Sequence, residues 1–256
     1  MNIEEYDKMY NLENTYWWFQ GRKKIIFELM RKYVLLELNN PRILDSGCGT
    51  GLILTELNKY GFTIGLDFSS KALSYCKDRG ITKLVKGQVS NLPIKDNTCD
   101  VVVSLDLLEH IENDNEVLKE YHRVLKKDGF ICLTVPAHPF LWSEHDEALH
   151  HFRRYTKKEF KATLLKNNFK IVRYSYVISF TFFPIVIYRF LSKILKKKNS
   201  QSKTHIIPLP EIINQCLIFI LKIEAFFLKF INLPIGVSLI CIAKKNNLIR
   251  NEDLND

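Results

Sequence analysis

A short apolar segment that ends in an acidic residue and three alternating glycines is the part of the chain best suited to chemistry. It spans residues 43–51, ILDSGCGTG. Glycines accept positive φ and let a ligand lie against bare backbone, and a helix is expected to open at Thr50. A dinucleotide fingerprint needs its third glycine one place later, where the chain has Leu52. The spacing therefore predicts a nucleotide-type loop and argues against NAD.

A second acidic residue follows the next apolar segment, in residues 65–69, GLDFS. Asp67 lies about 20 residues beyond the glycines, the distance at which an acid reaches the ribose hydroxyls of a bound nucleotide. Asp67 could also cap the following helix together with Ser69 and Ser70.

Together these segments resemble class I S-adenosylmethionine (SAM) dependent methyltransferases, of the type 11 group, whose first motif is similar to LDSGCGTG at 44–51. Residues 87–93, 99–104 and 108–111 resemble the later motifs, and the resemblance covers roughly residues 22–180 and a last strand. It implies SAM as the cofactor, with Phe68 against the adenine and Gln88 where many relatives carry Asp. The implied SAM contacts are Asp45, Gly47, Cys48, Gly49, Gly51, Asp67, Phe68, Gln88 and Leu105.

A cluster of histidines and acids follows the fifth predicted strand. Imidazole titrates near neutrality and can accept a proton from an acceptor hydroxyl, so His145, His150 and Asp146 are the candidates for catalysis. Asp146 and His150 would share a helix face as a metal pair. No metal site is expected, because the spacing matches no zinc pattern.

Five further residues are candidates for acceptor binding. Arg153 and Arg154 could clamp a phosphate or carboxylate with two hydrogen bonds each, or pair locally at the surface. Residues 16–22, YWWFQGR, resemble the opening segment of a methyltransferase subgroup. Trp17 and Trp18 could therefore wall the pocket or staple the helix to the sheet. His110 belongs to the segment that resembles the family's motif after the fourth strand.

Apolar strands that alternate with helical patterns must position these groups. Strands are expected at 42–45, 63–67, 83–86, 100–105, 130–136, 170–178 and 237–243. Helices are expected at 24–38 and 157–166 and after Thr50, Ser69 and Asn115. The predicted fold is α/β, a Rossmann-like seven-stranded mostly parallel sheet flanked by helices. The predicted parts are an aromatic segment and lid helix (1–40), a SAM-binding core (41–180), a helical insertion (181–234), and a last strand with a polar tail (235–256).

Composition narrows the class of protein. With 256 residues and 46% hydrophobic content, the chain can bury one α/β core. The six cysteines have no paired short spacing, which is typical of a reducing compartment, and the N-terminus is acidic, unlike a secretory signal. A cytoplasmic protein is expected.

The insertion at 181–234 is both apolar and basic, with eight Lys and Arg residues against two Glu. This pattern is typical of helices that lie on an anionic membrane, so peripheral contact with the inner face of the cell membrane is expected. A cap on the domain or a homodimer interface is the alternative. Nucleic acid is not expected, because Ile, Leu and Phe separate the basic residues.

The sequence predicts a SAM-dependent methyltransferase that acts on an oxygen, or less favourably a nitrogen or carbon, of a lipid-linked or amphipathic acceptor. A soluble small-molecule methyltransferase and a non-catalytic SAM-binding scaffold are the alternatives.

Overall fold

One seven-stranded sheet organises the chain, whose computed structural model describes residues 3–195 and 209–246. The strand order is β3-β2-β1-β4-β5-β7-β6. The strands are β1 (Arg42–Ser46), β2 (Phe62–Asp67), β3 (Leu84–Lys86), β4 (Cys99–Leu105), β5 (Leu125–Pro136), β6 (Phe169–Val177) and β7 (Ser238–Lys245).

The strand order reverses at β1, which pairs in parallel with both β2 and β4. A crevice forms beyond the carboxyl ends of parallel strands at such a switch point, and ligands of open α/β sheets bind there. Strand β7 is antiparallel to both β5 and β6, with Val177 opposite Ser238. The connection between β6 and β7 therefore lies at the same edge of the sheet as the crevice.

Nine described α-helices flank the sheet. They are α1 (Ile3–Leu12), α2 (Trp17–Tyr33), α3 (Leu52–Leu57), α4 (Ser70–Asp78), α5 (Asp114–Val124), α6 (Glu144–Ala148), α7 (Lys157–Lys166), α8 (Phe182–Leu195) and α9 (Glu211–Leu228). The predicted seven-stranded Rossmann-like sheet flanked by helices is confirmed.

Three local expectations differ from the structure. Helix α1 was not expected, yet Glu4 and Glu5 lie in its first turn, where acids suit the helix dipole. Helix α2 begins at Trp17 instead of residue 24. Helix α3 begins at Leu52, because its N-cap Gly51 takes the left-handed conformation, at φ 87°.

Helix α9 packs against α2 and joins the core on one face of the sheet. A Cβ at Gly21 of α2 would lie 2.8 Å from the Cβ of Leu221, so the two helices approach closely at this glycine. The buried Glu224 accepts hydrogen bonds from the amides of Ile178, Ser179 and Phe180. Part of the predicted insertion is thus fixed to the domain by hydrogen bonds from backbone amides to the Glu224 carboxylate.

The opposite faces of this region are exposed and apolar. On α9, Ile212 and Phe219 are 80% and 63% exposed. Lys196, Lys197, Lys198 and Lys203, which carry much of the expected basic charge, lie outside the described residues. None of the helices within 3–195 and 209–246 combines the length and apolarity needed to cross a bilayer.

Candidate functional site

The glycine loop after β1 turns sharply at the switch point. Gly47 and Gly49 have φ values of 77° and 54°, in the region that favours glycine. The amides of Gly47 and Cys48 both donate to the carbonyl of Leu66, which ties the loop to β2. The Cys48 side chain is buried, with its Sγ 3.9 Å from Cys76 Sγ. The backbone of the loop therefore lies at the cavity wall.

Two buried carboxylates lie at the ends of β1 and β2. Asp45 is 3% exposed and its Oδ2 has no hydrogen-bond partner. Burial, together with the negative charge of Asp67, raises the pKa of Asp45 to about 7. Asp67 accepts from the amides of Gly49 (3.0 Å) and Ser69 (2.9 Å), which orients its carboxylate. A ligand that brings positive charge would satisfy Asp45.

Helix α1 lies over the glycine loop, with Tyr6 and Met9 in the cavity wall. Just beyond the helix, the buried Glu13 accepts a 2.7 Å hydrogen bond from Thr50 Oγ1 and pairs with Arg79. These contacts attach the N-terminal segment to the loop it covers.

A single cavity of about 1280 Å³ extends from the glycine loop to the segment after β5. That volume exceeds what one small ligand needs and leaves room for a second. Phe68 borders it at 59% exposure, and Gln88 and Leu105 are also part of its wall. Gly51 is a packing residue instead, since a Cβ there would lie 2.9 Å from Cys76 Sγ.

Asp146 lies beneath the cavity wall at 0% exposure. Its carboxylate accepts from the amide of Ser143 (2.9 Å) and from Arg154 Nε (2.7 Å), and lies 3.0 Å from His151 Nδ1. Burial opposes its ionisation, but the His151 hydrogen bond and the charges of Arg154 and Arg189 hold its pKa well below the ordinary value. Asp146 is therefore placed to position its neighbours, while a proton acceptor would have to be another group.

His110, His145, His150 and His151 line the cavity. Burial lowers the pKa of both His145 and His110 to about 4, so both imidazoles are neutral at pH 7. Helix α6 ends at Ala148, and His150 has a φ of 57°, so Asp146 and His150 do not share a helix face. The His110 and His151 rings meet edge to face at 4.6 Å.

The two adjacent arginines have different surroundings. Arg153 is outside the cavity, where it donates to the carbonyl of Glu112 and lies 3.5 Å from Asp114. Arg154 borders the cavity, but it donates to Asp146 and to the carbonyl of Ala137. A third arginine, Arg189 of α8, lies in the cavity wall with Nη1 3.6 Å from Asp146 Oδ2.

Helix α2 brings its aromatic start to the cavity, where Trp17 and Trp18 meet edge to face at 5.5 Å. Arg22 pairs with Asp106 and donates to Thr134 Oγ1, which connects α2 to the ends of β4 and β5. Sequence reasoning did not select Arg22 or Arg189, because their partners lie far away in the chain. It did not select Glu109 either, since no local pattern shows that this carboxylate is buried.

Comparison with known proteins shows which proteins this chain is similar to. Residues 44–133 match the family model described as a methyltransferase domain. The chain contains a class I SAM-dependent methyltransferase domain. It is 38% identical over 96 residues to the tRNA (carboxymethyluridine(34)-5-O)-methyltransferase of Arabidopsis thaliana, covering 36% of this chain and 23% of that protein. It is 31% identical over 149 residues to the demethylmenaquinone methyltransferase of Staphylococcus epidermidis, covering 54% of this chain and 58% of that protein.

The methyltransferase domain also has relatives among solved structures. A SAM-dependent methyltransferase of Thermotoga maritima, described as a possible histamine N-methyltransferase, superposes with a TM-score of 0.56 at 16% identity. The match covers 95% of this chain and 96% of that one, and it shows the fold. This chain spans 23% and 58% of the length of these two sequence relatives, so they give no acceptor for it.

The residues of the methyltransferase domain fit SAM as its methyl donor. The unpartnered Oδ2 of Asp45 suits a cationic ligand, and the oriented carboxylate of Asp67 suits ribose hydroxyls. At Gly47 a Cβ would meet Leu107, so only a glycine leaves this wall clear.

Proposed function

We propose that this chain transfers the methyl group of SAM to a hydroxyl oxygen of an amphipathic or lipid-linked acceptor, which it meets at the cytosolic face of a membrane. The observation that carries the proposal is the position of α8. Ile185, Tyr188 and Arg189 of this helix line the cavity. Phe183 and Phe190 of the same helix are 64% exposed.

A helix that separates a cavity from an exposed apolar surface suits an acceptor with two chemically different ends. The polar end would enter the cavity beside Arg189, and the apolar end would remain against the exposed face. Phe140 and Phe152 extend the same pattern, since both line the cavity and are 61% and 56% exposed. Clustered exposed apolar side chains mark interaction surfaces in soluble domains.

Bound SAM supplies a methyl group on a sulfonium, which is already an activated leaving group. The protein must then align the acceptor with that methyl group and accept the hydroxyl proton. His145 lies in the cavity wall and is unprotonated at neutral pH, because burial lowers its pKa to about 4. His145 is therefore assigned as the hydrogen-bond acceptor for the substrate hydroxyl, with Asp146 holding the surrounding segment.

The relatives do not identify the acceptor, because one is named for a tRNA uridine and another for demethylmenaquinone. The direct test incubates the purified protein with methyl-labelled SAM and a total extract of the source cells, followed by partition between organic and aqueous phases. Label in the organic phase that Asp67→Ala abolishes would support the proposal. Label in the aqueous phase alone would favour a soluble acceptor, and SAM binding without any transfer would favour a scaffold.

Vesicle flotation tests the membrane part separately. Phe183→Ser, Ile187→Ser and Phe190→Ser are combined in one variant, and binding to phosphatidylglycerol and phosphatidylcholine vesicles is compared. Burial of each large apolar side chain contributes about 1.5–3 kcal/mol, so binding should fall more than about 100-fold. Leu36→Ser is the matched control, because Leu36 is 79% exposed and precedes β1, at the opposite edge of the sheet. Equal binding by both variants, or a stable dimer that buries this face, would contradict membrane docking.

A further inference from the structure

Glu109, His110 and His151 form a group in the cavity wall that the donor site does not use. One ligand-capable atom from each lies within 4.8 Å of the others. Glu109 is 1% exposed, and its Oε2 has no hydrogen-bond partner. A buried carboxylate oxygen without a partner is costly unless a cation or donor satisfies it.

Each imidazole of this group is also held by a hydrogen-bond partner outside the group. His151 Nδ1 lies 3.0 Å from Asp146 Oδ1, and donation there leaves Nε2 as the nitrogen with a lone pair. The His110 ring makes a hydrogen bond with the backbone of Leu149. Histidines that bind metals almost always donate their second ring N–H to a carboxylate or a backbone carbonyl, which fixes the tautomer and the ring orientation.

The carboxylate behind His151 is itself rigid. Asp146 is fully buried. Its carboxylate accepts hydrogen bonds from Arg154 Nε at 2.7 Å and from the backbone amide of Ser143. A fixed partner of this kind holds the His151 ring in place before any ligand binds. The group also faces the cavity, so an ion has an entry path and an open coordination position.

We propose that Glu109, His110 and His151 bind a divalent transition-metal ion, with Zn²⁺ the best match. Two imidazoles, one carboxylate and an open fourth position form a ligand set used by catalytic zinc. Imidazole ligands favour zinc and its neighbours over Mg²⁺ or Ca²⁺. Ligand atoms of one tetrahedral zinc lie about 3.4 Å apart at bonds of about 2.1 Å, so the ion draws the three side chains together.

The role of this ion rests on the proposed methyl transfer, whereas its binding does not. The open position would take the acceptor hydroxyl, because a bound cation lowers the pKa of a coordinated hydroxyl. The hydroxyl proton passes to His145 and then to solvent. The oxygen lone pair forms the new O–CH₃ bond, and the electron pair of the broken S–CH₃ bond returns to sulfur, which becomes a neutral thioether.

Metal binding is tested by equilibrium dialysis of the full chain against Zn²⁺, after removal of metal with a chelator. All proteins carry Cys216→Ser, since Cys216 is the exposed cysteine among the six. We expect about one tightly held ion per chain, and its loss in Glu109→Gln, His110→Ala and His151→Ala. His122→Ala is the matched control, because its ring contacts the backbone of Asn246 away from the cavity.

Asp146→Asn gives a readout that simple misfolding would not produce. It should keep one site per chain but weaken Zn²⁺ binding by about 10–100-fold. Thermal melts supply an independent measure, since bound Zn²⁺ should raise the Tm of the parent and of His122→Ala but not of His151→Ala.

Absence of a retained ion in the folded parent, or equal retention by His151→Ala, would overturn the metal site. Methyl transfer that persists in such a metal-free protein would leave the proposed function intact. Zn²⁺ binding that follows the expected pattern without any methyl transfer would support the site and count against the function.

Discussion

The side chain of Asn214 in α9 accepts a 2.8 Å hydrogen bond from the backbone amide of Trp17, the first residue of α2. The same side chain donates to the carbonyl of Thr15 at 2.9 Å. Asn214 therefore acts as an N-cap supplied from a distant part of the chain. It fixes the aromatic start of α2 at the cavity wall.

Asn214→Ala should lower the free energy of unfolding by about 1–3 kcal/mol, because the buried amide of Trp17 loses its acceptor and the carbonyl of Thr15 loses its donor. Asn214→Asp, which keeps an acceptor for the amide, should lose less. Urea unfolding measures both, with the exposed Gln215→Ala as the control. Equal stability of Asn214→Ala and the control would show that the cap is unimportant.

Gly21→Ala should destabilise the fold even though alanine favours a helix by about 1 kcal/mol. The new methyl group would overlap Leu221, and overpacking costs about 1–3 kcal/mol. Leu221→Ala alone should also destabilise, by about 2–5 kcal/mol, through the cavity it leaves. The double variant should be more stable than the sum of the two predicts, and strict additivity in a double-mutant cycle would contradict the close approach.

Asp45→Asn should change how stability depends on pH. The pKa of Asp45 is about 7 in the folded chain against 3.8 as the ordinary value. Between these values the folded protein holds a proton that the unfolded chain has released, so the free energy of unfolding falls as pH rises from about 4 to 7. Asparagine removes this loss, and the variant should exceed the parent at pH 8 by on the order of 2–4 kcal/mol.

Urea unfolding at pH 4.5 and pH 8 measures this difference, with little gain expected at the lower pH. Asp128→Asn is the control, because Asp128 is exposed and its φ of 59° suits asparagine. Parallel pH profiles for parent and Asp45→Asn would contradict the raised pKa.

Asp67→Ala should weaken SAM binding by about 10–100-fold. Charge-assisted hydrogen bonds contribute about 1.5–3 kcal/mol, and the loop also loses the contact between Gly49 and this carboxylate. Isothermal titration with SAM measures the change. Asp78→Ala at the exposed end of α4 should bind SAM normally, and a matching loss there would point to a general loss of fold.

The sheet could be predicted from sequence because each strand is a short apolar run with its own boundary signals. The glycine spacing after β1 likewise identified the donor loop, since the local backbone there needs left-handed residues at Gly47 and Gly49. Both features depend on residues close together in the chain.

The acceptor side could not be predicted to the same degree, because its contacts join distant segments. The local spacing places Asp146 on one helix face with His150, but in the structure its partners are Arg154, His151 and the distant Arg189. Likewise, α2 begins earlier than its apolar periodicity suggested, since its cap lies 197 residues away. Burial and long-range pairing, which no local pattern records, determine these roles.

The connection between β6 and β7 leaves and rejoins the sheet at its catalytic edge, with Val177 and Ser238 opposite each other. A longer or shorter connection would leave that register unchanged while replacing one wall of the reaction chamber. Substrate range could therefore diverge among descendants of this chain without rebuilding the sheet. The close packing of α2 against α9 limits such changes. Any replacement of α9 must still fit against Gly21 and provide a cap for the amide of Trp17.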